Sequence, residues 1–220
     1  MIPQAFEGYS VLELQLGALV VTLFTTIVFL SRTKPGTVAA YELLTKTRRS
    51  LGKPEQYSGA PVPADVIRKG LECAIRAPNH FLSEPWRFRM LNAEQKEQII
   101  GMTKFDGKKP LFQKVPQMLV VSMVPSADKW EIKALEDHAA TACAVQNFML
   151  YLASRGYATK WMTGAMGISG SDILSEVCGV DASTEHYMGV IILGASAQPL
   201  NTIHPPKRKK GLSSEIFTTF

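Results

Sequence analysis

From Ala139 to Ala153, apolar side chains run nearly all the way round the longest periodic stretch of the chain, WEIKALEDHAATACAVQNFMLYLASRGY. A helix with one apolar stripe lies on a surface, whereas one that is apolar on every side has to be covered on every side. The segment is therefore predicted to be a central, fully buried helix, or one shared with a second subunit. Gly156 follows it as a C-cap.

Shorter elements flank it. ADVIRKGLECAIRA carries Val66, Ile67, Gly70, Leu71 and Ala74 at helical spacing and is ended by Pro78, because the residue before a proline is pushed out of the α region. TVAAYELLTKT reads as a helix with Val38, Tyr41 and Leu44 on one face. WRFRML alternates as a strand from Trp86, and NAEQKEQIIGM is a helix capped by Asn92. QMLVVSMV and YMGVIILG are apolar runs suited to strands buried on both faces. ATKWMTGAMG returns to a strand and a glycine turn, and SDILSEVCG is a short helix with Ser171 as its cap. Helices alternating with a few buried strands predict an α+β or α/β domain over residues 37–220.

Residues 1–36 have a different character. Between Val11 and Leu30 the only charge is Glu13, and ~20 apolar residues are enough to span a bilayer. A cleaved signal peptide fits poorly, since no base precedes Arg32 and no small-x-small site follows. A core helix would show a polar stripe. The segment is expected to be a single-pass anchor with KPG, Lys34 to Gly36, as linker. Arg32, Lys34, Lys46, Arg48 and Arg49 follow it, so the main domain is expected on the cytoplasmic, stromal or matrix side.

The formal charge of +5 does not suggest nucleic acid, because the bases are dispersed except for Lys207 to Lys210 and no aromatic-plus-basic strand accompanies them. Cys73, Cys143 and Cys178 lack CxxC or Cys/His spacing and sit in apolar helical contexts, so they read as buried thiols rather than metal ligands. Glu136, Asp137 and His138 are adjacent on a helix and point in different directions, which disfavours a metal site there as well. No GxSxG, HExxH, P-loop or GxGxxG occurs. So thin an inventory of acids and bases suits an enzyme whose cofactor performs the chemistry.

TRRSLGK, Thr47 to Lys53, has two readings. Two arginines, a hydroxyl and a lysine can grip a phosphate; equally, bases at a solvated helix end complement the helix dipole. RAPNHFLSEPWRF, Arg76 to Phe88, joins a helix stop, two prolines and an Asn-His pair to a strand start. Taken with TRRS, with AVQNFMLYLASRGYATKWMTGA and with GVIILG, in that order along the chain, it resembles the FMN-dependent nitroreductase family, in particular its short bacterial branch.

The resemblance implies a three-layer α+β fold, a central mixed sheet flanked by helices, in an intertwined homodimer with FMN at the subunit interface. It implies that Arg48, Arg49, Ser50 and Lys53 grip the flavin phosphate, with Lys207 and Arg208 of the basic tail at the same group. Pro78, Asn79 and His80 would line the ring and ribityl chain. Trp161, Met162, Thr163 and Gly164 would form the turn facing flavin N5, with the Thr163 amide as donor, and Ser83, Glu84 and Trp86 would approach the partner's flavin. The expected activity is electron transfer from NAD(P)H through FMN to a small electron-poor acceptor, a nitroaromatic or quinone. The alternative is an accessory subunit of a larger membrane complex that keeps the fold with little turnover.

Two positions depart from the family pattern. Phe81 stands where the branch is commonly basic, and Gly52 where other branches carry a base, leaving Lys53 to take that role. TKFDGKKPLFQKVP, often a substrate lid, is short here.

Overall fold

The structure is a computed structural model, and it describes residues 35–126 and 131–204. The expected anchor at 11–30 and the tail bases Lys207 and Arg208 lie outside the described residues. Among the described residues no helix is long and apolar enough to cross a membrane. The chain divides into two units, Met1–Leu43 and Leu44–Phe220. Of the first, only the start of helix α1 (Pro35–Thr47) is described, and there Val38 and Tyr41 are exposed.

In the second unit, four strands form one sheet in the order β1-β2-β4-β3: β1 (Trp86–Met90), β2 (Gln117–Met123), β3 (Tyr157–Met162) and β4 (His186–Ala195). All three pairings are antiparallel. Among the described residues, the expected mixed sheet is thus realised only by one parallel bridge, Ser50 to Thr159. β2 and β4 are central and almost wholly buried, as their continuous apolar runs require.

Alternation along the strands sends side chains to two cores, which makes the unit three layers deep. Met118, Val120, Val190 and Ile192 face one core, with Ile99 and Ile100 from α3 (Ala93–Met102) and Leu111 and Phe112 from α4 (Lys109–Lys114). Leu119, Val121, Ile191 and Leu193 face the other, with Val66 and Ala74 from α2 (Ala64–Ala74) and Val145, Phe148 and Leu152 from α5 (Glu131–Ser154). The segment expected as a lid is therefore folded, because Leu111 and Phe112 are buried in the first core.

Asn92 caps α3 with a capping box, its Oδ1 accepting the Gln95 amide at 2.8 Å. α2 already stops at Ala74, ahead of Pro78. The later short helix is capped by Ser169, not Ser171, its hydroxyl accepting from Asp172 N, and it continues as a π turn over Ile173–Val177.

Of the two expectations for α5, burial within one chain is not met, and sharing with a second subunit is left open. Ala140, Ala144, Val145, Phe148 and Leu152 are buried, but Ala139, Cys143 and Gln146 form an exposed stripe, so a single chain does not cover this helix all round. None of the three thiols is fully buried: Cys73 and Cys178 are half-buried and Cys143 is exposed.

β4 carries a bulge. Val121 pairs with Gly189 and Ser122 with Tyr187, leaving Met188 outside the register. The Met188 carbonyl is taken by the Trp161 indole Nε1–H at 2.9 Å. Gly189 has φ +130, and a Cβ there would lie 2.5 Å from the indole nitrogen and 2.6 Å from Met162 O. Gly189→Ala is expected to lower the unfolding free energy by about 2 kcal/mol, from strained backbone and displaced indole. Denaturant unfolding measures this, and an unchanged midpoint would contradict it.

Candidate functional site

The expected site residues gather into two groups. The first lies on the β3 edge. After α1 the chain turns at Arg48–Arg49 and runs beside β3, Ser50 bridging Thr159 and Leu51 N donating to Thr159 O at 3.1 Å. The buried Tyr57 hydroxyl holds Leu51 O at 2.9 Å, and burial pushes that phenol's pKa up, so it stays a neutral donor. Gln56 Oε1 accepts the amides of Gly52 and Lys53, both at 2.9 Å, which fixes the turn. β3 then leads through Trp161 and the buried Met162 to Thr163 and Gly164, which are exposed. TRRSLGK and KWMTG, more than a hundred residues apart in sequence, thus meet through Ser50 and Thr159.

Arg49 donates from Nε and Nη2 to Thr47 O at 3.1 and 2.9 Å, while its Nη1 is buried with no hydrogen-bond partner among the described residues. Burial lowers the pKa of this guanidinium, a group that in proteins keeps its charge. A buried, unanswered cationic donor costs stability unless an acceptor arrives. LTKTRRSLGK, Leu44 to Lys53, contains no acid that would serve. The donor set of this edge, a guanidinium, a hydroxyl and lysines, fits the phosphate of FMN. Lys53 lies further along, exposed, beside a cleft of about 220 Å³ shared with Glu55, Gln198 and Ile203.

The second group lies in the loop before β1, with Pro78 and Glu84 exposed and Trp86 buried in the sheet. Three residues without a glycine's freedom have left-handed backbones here: Phe81 (φ 48), Leu82 (φ 54) and Glu84 (φ 42). The loop holds this shape through its own polar contacts. Asn79 Oδ1 accepts the Glu84 amide at 3.1 Å, His80 Nδ1 pairs closely with the Glu136 carboxylate, and Ser83 Oγ donates to Asp137 Oδ1 at 2.7 Å. Asp137 Oδ2 also accepts Ser126 N at 2.8 Å. Burial pushes the Asp137 carboxyl up, but the bonds from Ser83 and Ser126 and the charge of Lys133 outweigh it and hold it below the usual carboxylate range.

Between this loop and α5 is a cleft of about 370 Å³. Phe81, 80% exposed, stacks on His80 with ring centroids 4.1 Å apart, and Lys133 Nζ lies 5.4 Å from the Phe81 ring centroid. A cation therefore sits over the residue that replaces a base. Asn79 and Ser83 were expected to meet a flavin; within one chain their side chains serve the loop. Sequence reasoning missed Asp137, Glu136 and Lys133 as partners of this loop, since each lies some 50 residues away and only the fold joins them.

The two groups belong to opposite sheet edges, β3 and β1, separated by three strand spacings of ~4.8 Å, or about 14 Å. Among the described residues, His and acid neighbours form no metal cluster.

A three-layer α+β unit with a cationic turn clasped to an edge strand defines the class. The profile of the nitroreductase family matches residues 45–105 and 103–195, and the chain belongs to that family. The Bacillus subtilis protein YfhC, named for NAD(P)H nitroreductase activity, is 33% identical over 134 residues, which span 54% of this chain and 66% of YfhC, just short of two thirds of its length. Two solved structures share the fold. The nitroreductase-like family protein from Bacillus cereus has a TM-score of 0.64 at 23% identity, covering 80% of this chain and 94% of its own. A protein from Desulfovibrio desulfuricans, assigned as a nitroreductase and solved in complex with FMN, has a TM-score of 0.64 at 22% identity, covering 80% and 94%.

Proposed function

We propose that this chain is an FMN-dependent oxidoreductase of nitroreductase type, carrying electrons from NAD(P)H to a small electron-poor acceptor such as a nitroaromatic or quinone. The observation that carries the reading is the joining of TRRSLGK to β3 through Ser50 and Thr159. It puts a cationic clasp and the Thr163–Gly164 turn on one edge of one sheet. Bound FMN would supply the redox chemistry, and the protein supplies binding, orientation and charge. In this reading Arg48, Arg49, Ser50 and Lys53, with Lys207 and Arg208 of the tail, hold the phosphate. Trp161 to Gly164 present the Thr163 amide to the ring.

The chain is proposed to act as a homodimer. Pro78, Asn79, His80, Ser83, Glu84 and Trp86 belong to the far edge of the sheet, about 14 Å from the clasp. A second copy would bring that loop to the first copy's flavin, and the exposed stripe Ala139–Cys143–Gln146 offers α5 as the shared surface. Residues 11–30 are proposed to anchor the dimer to a membrane, on their hydropathy.

One preparation tests these together. Full-length protein should sediment with membranes, dissolve in detergent and show a yellow flavin spectrum that bleaches with NAD(P)H and returns with an acceptor. Recovery in the soluble fraction removes the anchor. Flavin that NAD(P)H does not bleach replaces the enzyme with the accessory-subunit reading, and absence of flavin removes both.

A further inference from the structure

We propose that Lys160 is a further cofactor-contact residue, admitted to the cationic clasp by the absence of a side chain at Gly52; the inference rests on the flavin reading above. A Cβ built on Gly52 would lie 2.7 Å from Lys160 Nζ, 3.4 Å from its Cδ and 3.6 Å from its Cε. The end of the lysine is laid along the glycine. Gly52 is not among the glycines with positive φ, so its backbone does not require glycine. The missing side chain instead leaves room for the end of Lys160 to lie across the turn, a place that a side chain at position 52 would make it leave.

The neighbourhood gives the lysine its role. Lys160 follows Thr159, which bridges Ser50, and precedes Trp161 on β3. It therefore stands between the arginines of the clasp and the Thr163 turn, which is three residues, or about 10 Å, further along. Lys160 thus reaches a turn whose own sequence, Leu44 to Lys53, carries Arg48, Arg49 and Lys53 and no acid. Glu55 lines the same cleft as Lys53. In that turn, the buried Arg49 Nη1 has no hydrogen-bond partner among the described residues, and a bound anion would answer both it and Lys160. The strand thus supplies a charge at a point of the turn that has no side chain of its own. A cation at this point favours an anionic ligand, and favours a flavin more once electrons have made its ring anionic.

The test uses the full-length protein with FMN as the probe. Lys160→Met should raise the FMN dissociation constant about tenfold, the scale of one charge-assisted contact. It should also move the midpoint potential of the bound flavin to a more negative value, while the thermal midpoint of the flavin-free protein stays unchanged. Lys160→Arg should keep both properties. In the Lys160→Met background, Gly52→Arg should restore tight binding and Gly52→Ala should not, because the turn then regains a charge only in the first case. Lys160→Met that binds FMN as tightly as the native chain, with the same potential, overturns the proposal. So does rescue by Gly52→Ala equal to that by Gly52→Arg, which would make the contact one of packing. A native chain that binds no FMN overturns the flavin reading itself, an outcome separate from either of these.

Discussion

Glu185→Ala is expected to lower the unfolding free energy by about 3–5 kcal/mol, the range for breaking a buried ion pair from one side. The Glu185 carboxylate, in a residue only 8% exposed, receives both arms of the Arg89 fork, Nη1 to Oε2 at 2.8 Å and Nη2 to Oε1 at 2.6 Å. Ser122 Oγ donates to Oε2 at 2.5 Å, and Arg89 Nη1 also reaches Ser122 Oγ at 2.7 Å. β1, β2 and the entry to β4 are thereby tied at the end of the sheet where the bulge at Val121 and Ser122 interrupts the ladder. Without the carboxylate, a mostly buried guanidinium and a buried hydroxyl lose their acceptor together. At ~2–4 °C per kcal/mol for a domain of this size, the thermal midpoint should fall by roughly 10 °C. Arg89→Met with Glu185→Leu should recover most of the loss, since replacing both charges leaves none stranded.

The same pair sets a pH dependence. Burial pushes the Glu185 carboxyl up, but hydrogen bonds from Arg89 and Ser122 and the charges of Arg89 and Arg87 outweigh it, leaving the group below its usual range. A folded pKa below the unfolded one contributes stability that is present above the unfolded value, ~4.3, and is lost as pH falls through the lower folded value. Glu185→Gln should remove this acid-side loss, so the variant's stability should fall less steeply below about pH 4. A native-like acid limb in Glu185→Gln would sink the assignment.

The order of elements was legible because each carries its own local signal. Asn92 announced the start of α3, and the apolar runs at Gln117 and Tyr187 announced buried central strands. The clasp was legible only by resemblance, since two arginines at a helix end are equally a solvated terminus until Ser50 is seen against Thr159. The rest depends on long-range pairing that leaves no local pattern. Arg89 and Glu185 are 96 residues apart, and nothing near either indicates the other. Gly52 read as a missing charge, because the lysine that crosses it comes from another strand. α5 read as buried all round because Ala139 and Cys143 are small apolar residues, which carry little information about which face is covered.

The most functional consequence of such a hidden contact is expected at Asp137. Asp137→Ala should cost about 2–4 kcal/mol, since the Ser126 amide and Ser83 hydroxyl lose a charged, nearly buried acceptor. The residue is 2% exposed, and its folded pKa is held low, so the contribution is complete above ~pH 4 and lost as pH falls through the folded value. The larger effect is on the loop. Phe81, Leu82 and Glu84 occupy left-handed backbones, each costing about 1 kcal/mol, and such a conformation persists only where contacts impose it. Of the contacts that do so, the bond from Ser83 to Asp137 anchors the loop to the most deeply buried acid. His80 with Glu136 and Asn79 with Glu84 are more exposed and can exchange with water. Removal of the Asp137 carboxylate should therefore raise amide hydrogen exchange across residues 79–84 while β1 and β2 stay protected. In the dimeric flavin reading it should also weaken FMN binding, because Asn79 and His80 would no longer be held in place. Asp137→Asn keeps one acceptor oxygen and should fall between the two. If exchange in the loop does not change in Asp137→Ala, the strained backbone is held by something other than this carboxylate, and the positioning role fails even if global stability drops.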